Sequence, residues 1–395
     1  MKYRDGRGER FGKYGDLFKG YSAAPLWVHA VSVGEVQAAV PLMRALKKDE
    51  PETKLFLTTI TVTGRAMASR LAGDIVDRNA YYPWDAPWAV SRAIDSISPA
   101  GFVTLETEIW PNFVAELAKR NIPAFIVNGR FSERSFRKAL KQKRFWKDIL
   151  SLFTKIMVRD ESDALRLAEL GVDKEKTLVT GDCKVDALID RTKKMDRVLL
   201  REKLDVGLGP VLLAGSTHTG EDECVLEAFS RVRKTFPDVR LIIAPRHPER
   251  AETVAGIAKE YGSVTLFSQI SGRWDILVVD EIGWLFGLYE VASSAFVGGS
   301  LVPRGGQNLL EAAIWGTPIQ HGPFMDDFAR PAAELARLGG ATTVTDSRRL
   351  AEEWERVLRN PETVDRKSGA DYVKNLGGAS GICSETVRAN LNSGE

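Results

Sequence analysis

Residues 27–46 read WVHAVSVGEVQAAVPLMRAL. The stretch opens as an apolar run that stops at Ser32-Val33-Gly34, and it continues with apolar residues at the three-to-four spacing of a helix face. An apolar run, a tight turn and a helix make the first half of a βαβ unit. A strand in a parallel sheet is covered on both faces, which is why it reads as continuously apolar rather than alternating. Glu35 sits on the hinge. In the first turn of a helix the dipole favours a negative charge, so Glu35 is expected to be ionised at neutral pH. A carboxylate must be charged before it can accept a proton, so the helix start suits a general base as well as it suits a structural acid.

The same rhythm runs along the chain. In the first half, strands are expected at 26–31, 54–59, 101–105, 124–127, 155–158 and 177–180, with helices at 36–48, 64–71, 87–96 and 110–119 between them. After a charged segment at 191–204 the pattern restarts, with strands at 210–214, 240–244, 264–267, 276–279, 294–297 and 317–320. The last is the weakest, because Pro318 suits only an edge or a strand start. The fold class is therefore α/β, with two Rossmann-like domains at 1–196 and 197–395. A terminal helix at about 370–390 is expected to pack back on the first domain, with a frayed end beyond it. Ligands in such sheets sit at the carboxyl ends of the strands, and a cleft between two such domains is the natural site.

Composition narrows the function. A chain of 395 residues suits two domains, and 44% hydrophobic with 27% charged residues is ordinary for a globular protein. A net charge of +2 lacks the global signature of nucleic-acid binding. Cys183, Cys224 and Cys383 are far apart and have no metal-ligand spacing, so a zinc site and a disulfide framework are both disfavoured. No apolar run approaches the roughly 20 residues of a membrane span. Charge is locally uneven, however. Lys2, Arg4, Arg7, Arg10, Lys13 and Lys19 crowd the first 19 residues, and 130–147 holds eight Lys or Arg against one acid, Glu133. Phe131, Phe136, Leu140, Phe145 and Trp146 interleave with these cations, which reads either as a solvated helix face or as a surface that rests on an anionic membrane.

Several short motifs follow strands. GSTHTG at 215–220 has the glycine spacing of a triphosphate-binding loop, but Glu221 and Asp222 stand where Lys and Ser or Thr are needed. Two acids there would repel a triphosphate, so nucleotide hydrolysis is rejected. Ser216 and its neighbours still suit a less charged phosphate. No stretch reproduces the dinucleotide fingerprint GxGxxG. PRHPER at 245–250 places Arg246 where a cation could meet a phosphate. The densest signal is GGSLVPRGGQNLLE at 298–311: a glycine-rich loop, a helix expected to begin near Asn308, and Glu311 one turn in, where a carboxylate could accept from ribose hydroxyls. In the first half, LETEIWP at 105–111 puts Glu106 and Glu108 just past a buried strand, as acid/base groups or as first-turn acids. The four histidines, His29, His218, His247 and His321, all fall at strand ends or in loops beside these motifs, and together they point to one cleft.

Taken in order, VSVGE, TTITVTG, LETEIWPN, NGRFSERS, TGDCKVD, GSTHTGE, PRHPER, FVGGSLVPRGGQNLLEAA and HGPFMDDF resemble the bacterial Kdo transferases, which attach 3-deoxy-D-manno-octulosonic acid (Kdo) to lipid A precursors. The likeness runs from about residue 27 to 328. It implies a GT-B fold, a CMP-Kdo donor, a lipid A precursor (lipid IVA) as acceptor, inverting transfer without a metal or other cofactor, and work at the cytoplasmic face of the inner membrane. It also implies Glu35 as general base, Glu106 and Lys184 as transition-state stabilisers, and Glu108 and Arg130 on the acceptor side. The CMP contacts it implies are Pro245, Arg246, Ile282, Gly283, Trp284, Asn308, Leu309, Leu310 and Glu311, with Ser216 beside them. The chain departs from the family pattern at Gln307, which stands for a usual His, at Trp284, which stands for an acid, and at Asp182-Cys183, which stands for Asn-Leu. RGERFGKYG at 7–15 looks like the segment that follows the family's membrane anchor. That anchor has no counterpart in these residues: either it has been trimmed away, or the protein docks only through its basic and aromatic surface, segments 1–19 and 130–147. Two other readings remain open: a two-domain glycosyltransferase using a UDP-sugar, and a non-catalytic membrane-surface binding protein.

Overall fold

The computed structural model describes residues 6–391 apart from 19, 22, 194 and 208. Lys2, Arg4, Lys19 and the expected frayed end beyond 391 lie outside the described residues. The chain divides into two compact units, Met1–Asp190 with Leu376–Glu395, and Arg191–Asn375.

The first unit is built on seven strands: β1 (Leu26–His29), β2 (Leu55–Thr59), β3 (Arg78–Tyr81), β4 (Gly101–Leu105), β5 (Ala124–Gly129), β6 (Lys155–Val158) and β7 (Thr177–Val179). They lie in the order 3-2-1-4-5-6-7, all parallel. β1 is central and wholly buried, as its unbroken apolar run requires. Its residues alternate between faces. Trp27 packs with Phe56, Phe102 and Phe113 on one side, and its Nε1 donates to Thr58 Oγ1 at 2.8 Å. Leu26 and Val28 join Leu42, Leu55 and Leu57 on the other. β3 was not expected, because it lies at the sheet edge and only Ala80 and Tyr81 of its four residues are buried.

The C-terminal stretch forms two helices where one was expected, Lys367–Asn375 and Ala379–Leu391. The break falls at Gly378, which takes a φ of 103°. Asp186 fixes the second start by accepting from the Gly378 and Ser380 N–H groups at 2.6 and 2.7 Å. Cys383 and Val387 of this helix share a core with Leu42 and Met43 of the helix Val33–Asp49, and Arg388 pairs with Asp49 at 3.0 Å.

The second unit contains β8 (Val211–Thr217), β9 (Arg240–Pro245), β10 (Val264–Leu266), β11 (Ile276–Val278), β12 (Ser294–Val297), β13 (Ile319–His321) and β14 (Ala341–Thr343). Their order is 10-11-9-8-12-13-14, again all parallel. Pro318 stands one residue ahead of β13, where its missing N–H costs nothing and its carbonyl accepts from Ala295 N–H at 2.9 Å. β14 is three residues long and was not expected. Phe229, Phe296 and Trp354 are fully buried in one face of this sheet. No helix of the described residues is long and apolar enough to cross a membrane.

The first sheet winds outward in both directions from β1; the second branches at β8 in the same way, except that β10 takes the edge and β11 returns to lie between it and β9. The switch points fall between β1 and β4, and between β8 and β12. Loops leaving the carboxyl ends of such a strand pair diverge, and the crevice between them is where open α/β sheets bind ligands.

Candidate active site

At the first switch point the helix that follows β1 carries Glu35 in its first turn, and the loop after β4 carries Glu106 and Glu108. Glu35 is the third residue of the helix Val33–Asp49. Its side chain folds back over the helix start: Oε2 accepts from Val31 N–H at 2.6 Å, and Oε1 accepts from Ser32 Oγ at 3.0 Å. This is a capping-box arrangement moved by one residue. The carboxylate is only 7% exposed. Its titration corrects the expectation drawn from the helix dipole. Burial pushes Glu35 up to about 7, with the Val31 N–H opposing and the charges of Glu108 and Glu106 adding to the rise. It is therefore about half ionised at neutral pH, not fully charged.

Glu106 turns out of β4 with a φ of 57°. Its Oε1 accepts from Lys184 Nζ at 2.5 Å. Lys184 lies in the first turn of the helix Cys183–Thr192, and that helix start is anchored. Asn128 Oδ1 accepts from Cys183 N–H at 2.9 Å, Asp182 Oδ1 accepts from Lys184 N–H at 2.9 Å, and Asp182 pairs with Arg159 at 3.3 Å. Asp182 and Cys183 are thus well seated: one is ion-paired, the other buried. Sequence reasoning missed Asn128 as a positioning residue. The available signal was an Asn-Gly pair closing a buried strand, since Asn tolerates the φ of 59° found there.

Glu108 is also raised, by burial and then by the charge of Glu106. Arg130 is exposed, and its carbonyl accepts from Thr107 Oγ1, which ties the loop after β5 to the loop after β4. The structure thus gathers Glu35, Glu106, Glu108 and Lys184, while Arg130 joins through its backbone. His29 ends β1 fully buried and stacked on Tyr82 at 3.8 Å. Burial pushes it down to about 3, so it is a neutral core residue. His218, His247 and His321 belong to the other unit, so the four histidines do not share one unit.

At the second switch point Ser216 is the penultimate residue of β8, where the strand is irregular and takes a φ of 56°. The two acids that follow do not face a ligand, which corrects the reason given for rejecting a triphosphate. Glu221 is fully buried. Its Oε2 accepts from the N–H groups of His218 and Gly299 at 2.8 and 2.7 Å, and its Oε1 from those of Ser300 and Leu301, both at 2.9 Å. Asp222 pairs with Arg250. Glu221 therefore ties the loop after β8 to the glycine-rich loop after β12. The glycines have packing reasons of their own. A Cβ at Gly298 would stand 2.5 Å from Ser216 O, and at Gly305 and Gly306 it would meet Asp327 and Met325. At Gly299 it would touch both Gln307 and His218 at 3.3 Å, which places Gln307 beside the first loop.

The helix expected from Asn308 is a single turn, Leu310–Ala313. Asn308 Oδ1 accepts from Leu310 N–H at 3.1 Å, and Leu309 is buried. Burial raises Glu311, and the charges of Arg191 and Arg246 oppose the rise, so the three form one group. Arg191 was missed because it reads as part of a charged linker; its guanidinium lies 3.9 Å from the Phe286 ring centroid. Pro245 ends β9, and Arg246 N–H donates to Thr217 O at 3.0 Å. The Trp284 side chain is occupied: Nε1 donates to Glu281 at 2.8 Å, and the Lys203 ammonium sits 3.6 Å from its ring. Ile282 is exposed, and Gly283 takes a φ of 103°, so what 282–284 present to a ligand is mainly backbone.

Known proteins carry the same pattern. The family described as 3-Deoxy-D-manno-octulosonic-acid transferase (kdotransferase) matches residues 5–187. A 3-deoxy-D-manno-octulosonic acid transferase of Haemophilus influenzae is 33% identical over 94% of this chain and 87% of its own length. A protein of the same name from Bordetella pertussis is 32% identical over 89% and 83%. Among solved structures, a UDP-GlcNAc 2-epimerase of Neisseria meningitidis superposes with a TM-score of 0.62 at 14% identity, covering 93% of this chain and 100% of its own. That likeness supports the fold, two parallel-sheet units of the GT-B class.

Proposed function

The chain belongs to the 3-deoxy-D-manno-octulosonic acid transferase family, and on that premise we propose that it moves Kdo from CMP-Kdo to a lipid A precursor with inversion at the anomeric carbon. An acceptor hydroxyl gives its proton to Glu35 while its oxygen forms the new bond to the anomeric carbon. The bond from that carbon to the CMP phosphate breaks, and its electron pair leaves with CMP. The observation that carries this reading is the Glu35 carboxyl. It is held by two hydrogen bonds, titrates at about 7, and sits at the switch point beside Glu106 and Glu108. A general base works best when its pKa is near the working pH. The Glu106–Lys184 pair supplies a fixed dipole where charge develops.

On the donor side, Ser216, Pro245, Arg246, the backbone of 282–284, Asn308, Leu309, Leu310 and Glu311 hold CMP. Arg246 and Arg191 offset the leaving phosphate without a metal. The transferase names of the relatives favour a CMP-Kdo donor over a UDP-sugar and over a non-catalytic binder.

Docking on the cytoplasmic face of an inner membrane is part of the proposal. Phe11 and Trp88 are exposed and 5.6 Å apart, with Trp84 exposed nearby in sequence and Arg92 against Trp88. Phe145 is exposed among the cations of 130–147. Mass spectrometry of a lipid A precursor incubated with the protein and CMP-Kdo tests the activity. A mass gain of one or more Kdo is expected, and an unmodified acceptor with intact CMP-Kdo refutes it.

A further inference from the structure

One cavity of the first unit has no role in the reading above. The helices Glu133–Leu140 and Lys143–Leu150 cover a pocket of about 430 Å³, within the size range of small-ligand sites, about 300–1,000 Å³. Phe131, Phe136, Leu150 and Leu170 are its buried apolar lining, and Trp146 adds a partly buried ring. Its remaining wall is the loop after β4, through Thr107 and Ile109. These two residues alternate with Glu106 and Glu108, the carboxylates whose charges reach Glu35. One short loop therefore serves the base with its even-numbered side chains and the pocket with its odd-numbered ones.

The chemistry of pocket and rim identifies the occupant. A sugar or nucleotide would bury many polar atoms here, and the lining gives them little to bond. The Thr107 hydroxyl already donates to Arg130 O, which leaves the side chains of Ser135, Lys138 and Gln142. The outer surface is a different matter. Arg130, Arg134, Arg137, Lys138, Lys141, Lys143, Arg144 and Lys147 are all exposed, and among the described residues only Arg137 of these is paired with an acid, Glu133. An apolar pocket set in unpaired cations complements a molecule with an aliphatic tail and an anionic head.

We propose that this pocket receives an acyl chain of the acceptor, an acylated anionic glycolipid, and so sets how far the enzyme depends on acceptor acylation. The proposal rests on reading the chain as a Kdo transferase with a lipid acceptor. The tail in the pocket and the head on the surrounding cations hold the lipid against the loop that carries Glu106 and Glu108. Each methylene buried is worth about fourfold in affinity, so even a chain that enters only in part changes KM well beyond experimental error.

The test compares transfer to the acylated precursor with transfer to its fully deacylated form, by wild type and by Ala139→Trp, which places an indole in the pocket. Wild type is expected to favour the acylated form by at least tenfold in kcat/KM, and the substitution to cut that ratio about tenfold. An unchanged ratio, or a wild type indifferent to acylation, overturns the proposal. Absence of transfer to either form by wild type counts against the enzymatic reading instead. Crosslinking of wild type with an acceptor carrying a diazirine on its acyl chain decides the matter if Ala139→Trp does not fold. Labels on Ile109, Phe136 or Trp146 are expected. Labels confined to Phe145, Phe11 or Trp88 overturn the pocket and leave the chains in the bilayer.

Discussion

Replacing Glu35 with Gln should slow transfer by orders of magnitude and, above neutral pH, make the protein more stable. The ordinary carboxyl value is 4.5, and in the folded chain Glu35 titrates at about 7. Folding therefore favours the protonated form. As pH rises, the unfolded chain gives up this proton first, so the native state loses stability between about 4.5 and 7 and is flat above that window. At about 1.4 kcal/mol per tenfold, the loss is about 3 kcal/mol, or roughly 2 kcal/mol once water at the rim of the site is allowed for. Gln keeps an oxygen to accept from Val31 N–H and has no charge to bury.

In thermal scans at pH 5 and pH 8, the variant should gain on wild type between the two conditions. About three-quarters of that loss falls between pH 5 and pH 8, and for units of this size 1 kcal/mol moves the midpoint by about 2–4 °C, so the expected gain is roughly 3–6 °C. Activity should move the other way. With a value of about 7, about a tenth of Glu35 is ionised at pH 6 and about nine-tenths at pH 8, so wild-type kcat/KM should rise about tenfold across that range. The variant should lose 10²–10⁴ of the rate, the usual contribution of a general base. A stability difference that does not change with pH, or a variant less stable than wild type at pH 8, refutes the assignment of a strained, buried base.

Three further predictions follow from neighbours. Glu108→Gln removes a negative charge that raises Glu35, so the rising limb of the pH–rate profile should shift to lower pH, and an unshifted limb counts against the coupling. Glu221→Ala orphans four N–H donors, two of them buried and two partly so. At about 1–3 kcal/mol each, partly recovered by water, this should cost roughly 4 kcal/mol in urea unfolding and remove CMP binding; a loss below about 1 kcal/mol contradicts the role assigned to it. Arg191→Ala should weaken CMP binding about tenfold by calorimetry, because it takes away one of two cations facing Glu311, and unchanged affinity excludes Arg191 from the donor site.

Sequence carried the fold well where strands are buried on both faces. β1, β4, β8 and β9 announce themselves because a parallel core strand must be apolar along its length. It failed at the edges, where β3 begins with exposed Arg78 and β14 ends with exposed Thr343, since an edge strand can stay polar. That Glu35, Glu106 and Glu108 stand just past buried strands was legible, and their electrostatics were not. The helix dipole at Glu35 is visible in five residues of sequence. The burial and the Glu106 and Glu108 charges that outweigh it arrive on a loop some 70 residues later, through folding alone. Arg191 and Glu311 are likewise remote in sequence and meet only in the folded unit.

Glu35 and Glu221 show why position alone could not separate a base from a strut. Each follows the first strand of its sheet, stands at the start of the next helix, and borders the switch point. A carboxylate has about four lone pairs to offer. Glu221 spends all four on backbone N–H groups that join two loops, and nothing remains for an incoming hydroxyl. Glu35 spends two, on Val31 N–H and Ser32 Oγ, and keeps two on a group whose burial makes it hold a proton near neutrality. A general base needs a free lone pair and a suitable proton affinity at once. The number of hydrogen bonds each carboxylate already accepts therefore distinguishes the two glutamates: Glu35 retains acceptor capacity that Glu221 has spent, as the proposed role in proton transfer requires.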